Sequence, residues 1–189
     1  MGPTRFGDGR LVVETKDILL ARLGEIHVAR KAPMVGCHGL GSCIGLMAYD
    51  SITQVGGVAH VVLPDGTGRK DLDLPGRYMN LAIPTLINEL VAAGAGRTRL
   101  KFVAVGGANV FKFGAGAPSL NLNIGDRNIQ AMRDGLAALN TCLEAEFVGG
   151  TQATSTQLCL ETGQVFVACG SREMNLLHKF AEGRNVRAA

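Results

Sequence analysis

Cys43 closes the run Gly39-Leu40-Gly41-Ser42-Cys43, and His60 sits on the next apolar segment, beyond a short polar turn. A thiol and an imidazole within reach of each other can run covalent acyl transfer. The imidazole takes the thiol proton, the thiolate attacks a carbonyl carbon, and the imidazolium then protonates the leaving group. The glycine-rich approach suits a sharp turn at Gly41 and Ser42 whose backbone N–H groups point at the reaction centre. Such donors stabilise a developing oxyanion by ~3–4 kcal/mol each. The chemistry expected of this pair is hydrolysis of an amide or ester through a thioester.

The pair works only if two strands place it. Segments 44–49 and 55–63 read as strands, and Asp50-Ser51-Ile52-Thr53-Gln54 reads as the turn between them. If Asp50 faces Val55 in an antiparallel hairpin, Cys43 falls opposite Val62 and His60 opposite Gly45. The two are then diagonal neighbours on one face, ~7–8 Å apart at the backbone. A one-residue slip would put them on opposite faces. On pattern alone, a free cysteine is more commonly a buried, inert hydrophobe, and His60 would then be a core histidine. Zinc is a further alternative, with Cys37, His38, Cys43 and His60 as ligands. The short C-x-x-C or H-x-x-x-H pairs usual for such sites are absent, so no metal and no cofactor are expected.

The chain has 189 residues, 47% of them hydrophobic and 19% charged, with a formal net charge of +3. That balance fits one globular domain with a sizeable core rather than a disordered chain. A charge so small, with no aromatic residues interleaved among the Lys and Arg, points away from nucleic acid. No apolar run approaches a membrane span, and the first residues lack the apolar core of a secretory signal, so no membrane insertion is expected. The five cysteines (37, 43, 142, 159 and 169) then suit reduced thiols in the cytoplasm. Cys142, Cys159 and Cys169 read as packing residues.

Further strands are expected at 11–13, 26–29, 34–37, 100–105, 142–148, 157–160 and 164–168. Helical periodicity spans 78–93, where Pro84 should kink the helix or mark its start, and 123–140, where Asn123 is a plausible N-cap. A long glycine-containing loop covers 106–122. The organisation expected is a flexible leader at 1–10, a single domain at 11–170, and a weakly amphipathic helix with a basic tail at 171–189. Strands first, then strands and helices mixed, favour an α+β fold over a doubly wound parallel sheet.

Several motifs occur in order along residues 18–168: Gly39-Leu40-Gly41-Ser42-Cys43-Ile44-Gly45, Gly57-Val58-Ala59-His60-Val61-Val62-Leu63-Pro64-Asp65, Pro75-Gly76-Arg77-Tyr78, Gly106-Gly107-Ala108-Asn109-Val110-Phe111, Asn123-Ile124-Gly125-Asp126-Arg127-Asn128 and Glu161-Thr162-Gly163. Together they resemble the CheD family of chemoreceptor glutamine deamidases. The resemblance implies a layered α/β sandwich with mixed and antiparallel sheets flanked by helices, related to the deamidating domain of cytotoxic necrotizing factor toxins. It implies a cytoplasmic chemotaxis enzyme that hydrolyses glutamine side chains, and in some members glutamate methyl esters, on methyl-accepting receptors. It also implies a CheC-type phosphatase as partner, and the alternative of a weakly active or non-catalytic adaptor for that phosphatase. By position, Cys43 matches the family nucleophile and His60 its histidine. Cys37 stands where the family has a threonine that orients the imidazole. A thiol holds an imidazole more weakly than a hydroxyl does, so either Cys37 or a backbone carbonyl orients His60 here.

Overall fold

The structure, a computed structural model, describes residues 4–5, 11–12, 18–31, 34–70, 73–110, 123–141 and 143–181. In chain order the strands are β1 (Thr4–Arg5), β2 (Leu11–Val12), β3 (Ile18–Leu20), β4 (Ile26–Arg30), β5 (Met34–Leu40), β6 (Ile44–Asp50), β7 (Val55–Val61), β8 (Lys101–Gly106), β9 (Leu143–Val148), β10 (Thr154–Cys159), β11 (Gln164–Cys169) and β12 (Asn175–Lys179). The helices are α1 (Met79–Ala92), between β7 and β8, and α2 (Ile124–Ala138), between β8 and β9.

Ten strands form two five-stranded sheets, ordered β12-β11-β10-β5-β3 and β4-β7-β6-β8-β9. Both are antiparallel except at one edge, where β3 runs parallel to β5 and β9 parallel to β8. β1 and β2 form a separate two-stranded ladder. The molecule is an α+β fold, as the order of elements suggests.

Strand alternation builds three layers. On β6, Ile44, Leu46 and Ala48 face α1 and α2, where they meet Met79, Leu86, Leu90 and Met132. Met47 and Tyr49 point the other way, into an inter-sheet core with Val35, Cys37, Val103 and Leu158. The central strands β6 and β7 are therefore buried along their whole length. The Tyr49 hydroxyl donates to the Leu160 carbonyl at 2.8 Å and ties one sheet to the other.

The β6–β7 turn is anchored by Asp50, which is fully buried. Its carboxylate accepts from the N–H of Ile52 (3.1 Å), the hydroxyl of Thr53 (3.0 Å), the N–H of Gly96 (2.8 Å) and the Arg99 guanidinium (2.6 Å). The turn is thus fixed both to itself and to the segment entering β8.

Expectations change at the tail and at Asn123, Pro84 does not mark the start of its helix, and one strand is unanticipated. Within the segment 171–189, read as helix and tail, Asn175–Lys179 is an edge strand on β11. A short run with few apolar residues carries no decisive period, and the open edge of β11 supplies a backbone ladder that decides it. Ile18–Leu20 is a strand too short for its alternation to be read from the sequence. α1 passes through Pro84, which lies on the exposed face with Asn80, so the carbonyl freed by the missing N–H is on the solvent side. Asn123 precedes α2 but makes no side-chain cap. Of the leader and the tail, residues 1–3, 6–10 and 182–189 lie outside the described residues, as do Cys142 and 111–122 of the long loop.

Burial opposes the charge of Asp50, but its four donors outweigh burial and hold the carboxyl at a pKa of about 2 against an ordinary 3.8. A depressed carboxyl contributes stability that is full above its unfolded pKa and is lost as pH falls through the folded one, here about 2 kcal/mol. Asp50→Asn should be destabilised by that amount in urea unfolding at pH 7. The gap should close as the pH is lowered from about 4 to about 2.

Candidate active site

The observed β6–β7 register pairs Asp50 with Val55, Gly45 with His60 and Ile44 with Val61. Carried one step past its last pair, this register puts Cys43 level with Val62, where the ladder itself has ended. Cys43 and His60 are therefore diagonal neighbours that both face the inter-sheet layer, the arrangement the hairpin argument requires. Gly45, opposite the imidazole, has little room. A Cβ there would lie 3.0 Å from Leu40 Cδ1, 3.2 Å from Thr156 Cγ2 and 3.6 Å from Cys37 Cβ.

The segment between β3 and β4 cradles His60. Its backbone N–H donates to the Glu25 carbonyl at 3.0 Å and its carbonyl accepts from Gly24 N–H at 2.9 Å. The ring Nδ1 lies 3.0 Å from the Ala21 carbonyl oxygen. A carbonyl only accepts, so Nδ1 carries the proton and Nε2 keeps its lone pair. Nε2 is buried and has no hydrogen-bond partner among the described residues. Burial lowers the pKa of His60, against the opposing pull of the Ala21 bond and the Glu25 charge. The imidazole is thus held neutral, in the tautomer of a base.

Cys43 ends a turn whose carbonyls are all captured. Gly41 C=O accepts from Ala108 N–H (2.7 Å), Ser42 C=O from Asn128 Nδ2 (2.8 Å) and Cys43 C=O from Gly107 N–H (2.8 Å). The N–H groups of Ser42 and Cys43 donate to no acceptor among the described residues. For Cys43 the reason lies in the backbone. A hydrogen-bonded antiparallel pair normally exchanges two bonds, so Cys43 N–H should reach Gly107 C=O. Gly107 has φ +69°, and its carbonyl oxygen turns onto α2, lying 2.3 Å from where a Gly125 Cβ would be. The donor on Cys43 is left open.

Burial pushes the Cys43 thiol above its ordinary value. Cys37, fully buried in the same inter-sheet cluster, is raised further, first by burial and then by the proximity of Cys43. The resting site holds neutral thiols beside a neutral imidazole.

Cys43, His60, Cys37, Gly41 and Ser42 thus meet in one region. His38 does not join them: it is exposed, on the face of β5 opposite buried Cys37, so the four candidate zinc ligands do not converge. Cys159 is buried as expected, whereas Cys169 is exposed at the end of β11. Sequence reasoning assigns no site role to Ala21, nor to Gly107 or Asn128 beyond their places in the quoted motifs. Ala21 acts through its carbonyl and Gly107 through its φ, and neither leaves a side-chain signal. Asn128 does leave one, a polar residue on the stripe shared by Gly125, Ile129, Met132 and Leu136, and it is fully buried.

Residues 62–169 match the family model for CheD, described as chemotactic sensory transduction. The chain belongs to the CheD family. It is 42% identical over 152 residues to the probable chemoreceptor glutamine deamidase CheD of Symbiobacterium thermophilum, covering 79% of this chain and 91% of that protein. It is 37% identical over 145 residues to the chemoreceptor glutamine deamidase CheD of Thermotoga maritima, covering 77% and 87%. The probable chemoreceptor glutamine deamidase CheD of Clostridium botulinum (strain Hall) is 34% identical over 155 residues, covering 80% and 94%. Among the described residues of this CheD protein, no helix is long and apolar enough to cross a membrane.

Iodoacetamide labelling with peptide mapping should rank the thiols: exposed Cys169 first, Cys43 next, and Cys37 unmodified in the folded protein. The Cys43 rate should still be climbing at pH 9, because its pKa is raised above the ordinary 9.0.

Proposed function

We propose that this CheD protein is a protein-glutamine deamidase of chemoreceptors that works through a thioester on Cys43. The observation that carries the reading is a neutral imidazole whose proton is fixed on Nδ1 by Ala21 and whose Nε2 has no partner among the described residues, on the sheet face that also carries the buried Cys43 thiol. With both groups neutral at rest, Nε2 takes the thiol proton as Sγ attacks the glutamine side-chain carbonyl carbon. The open N–H groups of Cys43 and Ser42 receive the oxyanion, which is how a turn with all its carbonyls captured becomes useful. When the tetrahedral intermediate collapses, the imidazolium protonates the leaving nitrogen and ammonia departs. Water, activated by the same Nε2, cleaves the thioester to glutamate and restores the thiol. The sum is amide plus water giving carboxylic acid plus ammonia.

In this reading the Ala21 carbonyl performs the orienting role that the family assigns to a threonine, and Cys37 packs beside the pair. The same route would hydrolyse a glutamate methyl ester, with methanol leaving instead of ammonia. The setting is the cytoplasm, where the adaptation helices of the receptors lie, and a CheC-type phosphatase is the expected regulatory partner.

The test is incubation with the cytoplasmic fragment of a cognate receptor, followed by mass spectrometry of glutamine-to-glutamate conversion. Cys43→Ala and His60→Ala should each lose activity by at least about 10³-fold, as members of a nucleophile–base pair do. Parental turnover in Cys43→Ala would sink the proposal. The pH profile follows from the lowered pKa of His60: activity needs the neutral ring, so kcat/KM should persist below pH 6.5 and fall only as the pH drops through the depressed value.

A further inference from the structure

The β6–β7 ladder ends at Ile44 and Val61, and the two chains part just where the site begins. Val62 N–H turns to the Arg77 carbonyl (3.0 Å), and Cys43 C=O turns to Gly107 N–H (2.8 Å). One side chain spans the gap. Asn128 of α2 donates from Nδ2 to Ser42 C=O at 2.8 Å and to Val62 C=O at 2.9 Å. A carboxamide nitrogen carries two hydrogens, and both are used. Its Oδ1 is buried without a partner among the described residues. Leaving a buried acceptor unpaired is unfavourable. The side chain is held for its donors, at a cost that packing alone would not impose.

The peptide bond gives this contact a direction. Ser42 C=O and Cys43 N–H belong to one planar trans unit and point opposite ways. Fixing the carbonyl on Asn128 fixes the Cys43 N–H on the far side, where Gly107 no longer offers an acceptor. We propose that Asn128 is a positioning residue that locks the Ser42–Cys43 peptide so that the Cys43 N–H serves as the oxyanion donor. The proposal rests on the thioester reading above. It assigns Asn128 no contact with substrate: it acts through the nucleophile's backbone, and its loss lets the peptide rotate.

Asn128→Leu keeps the shape and removes both donors; Asn128→Asp keeps the shape and puts acceptors against two carbonyls. With the glutamine-bearing receptor fragment as substrate, each should lose about 10²–10³ in kcat, with KM little changed, the loss typical of one oxyanion donor. Alkylation of Cys43 by iodoacetamide should proceed at the parental rate in both, because displacement of iodide builds no oxyanion. Parental kcat in a folded Asn128 variant would overturn the proposal. So would an alkylation rate that fell in step with kcat, since Asn128 would then support the thiol and not the donor. If neither variant folds by circular dichroism, the wild-type protein decides. A receptor peptide with an aldehyde in place of the glutamine amide should add to Cys43 and shift its backbone amide proton downfield, and an unmoved resonance would overturn the assignment. Activity surviving in Cys43→Ala defeats the thioester reading itself. An inactive Cys43→Ala beside a fully active Asn128→Leu defeats only the role of Asn128.

Discussion

The register of β6 against β7 is the constraint on which the site depends, because side chains alternate faces along a strand. A slip of one residue would turn His60 toward the helices and leave Cys43 facing the other sheet. The hydrophobic pattern guards this register only weakly, since both faces of β6 and β7 are buried and apolar. Small residues and the turn guard it better. A Cβ on Gly56 would lie 2.5 Å from Leu160 Cδ2, and one on Gly57 would lie 2.7 Å from the His27 carbonyl, so no larger neighbour can slide into those places. The Asp50 carboxylate closes the turn through Ile52 and Thr53 while holding Gly96 and Arg99 from outside the hairpin. A buried charge at one end of the hairpin thereby fixes which side chains meet at the other.

At the far end the logic reverses, and bonds are withheld instead of completed. Carbonyls around Cys43 are captured by Gly107, Ala108 and Asn128, while among the described residues the N–H groups of Ser42 and Cys43 find no acceptor. His60 shows the same asymmetry: Nδ1 is engaged by Ala21, and Nε2 is buried with no partner among the described residues. Buried polar side-chain atoms without a partner are unfavourable in a folded protein, and His60 Nε2 is one, beside these open N–H groups. They are the donors and the acceptor that a tetrahedral intermediate and a migrating proton would occupy. The rigid surroundings, two sheets and α2, keep them open.

Electrostatics decide how such a pair must work. Burial raises the thiol and lowers the imidazole, so neither is charged at rest. An ion pair poised in advance would need the opposite shifts. In the proposed reaction proton transfer would be coupled to attack, with Nε2 kept available by the bond from Nδ1 to Ala21. In the proposed mechanism Cys37 in place of the family's threonine would be tolerated, because a main-chain carbonyl already fixes the tautomer.

The sequence by itself determined the strands that carry Cys43 and His60, the turn that sets their register, the two helices and the α+β class. These rest on local pattern: alternation, helical spacing and turn residues over a few positions. It also held the motifs that place the chain among CheD proteins. What it could not hold was the part played by the main chain. The Ala21 carbonyl, the rotated Gly107 peptide and the edge strand at Asn175–Lys179 exist only because distant segments meet, and backbone groups are the same in every residue. Asn128 lies between the two cases. Its place on a buried helical stripe was legible, but the two carbonyls it bridges come together only after β6 and β7 pair and α2 docks across their open end. The tertiary structure alone decided how the thiol is aimed, because aiming it takes hydrogen bonds between residues far apart in the chain.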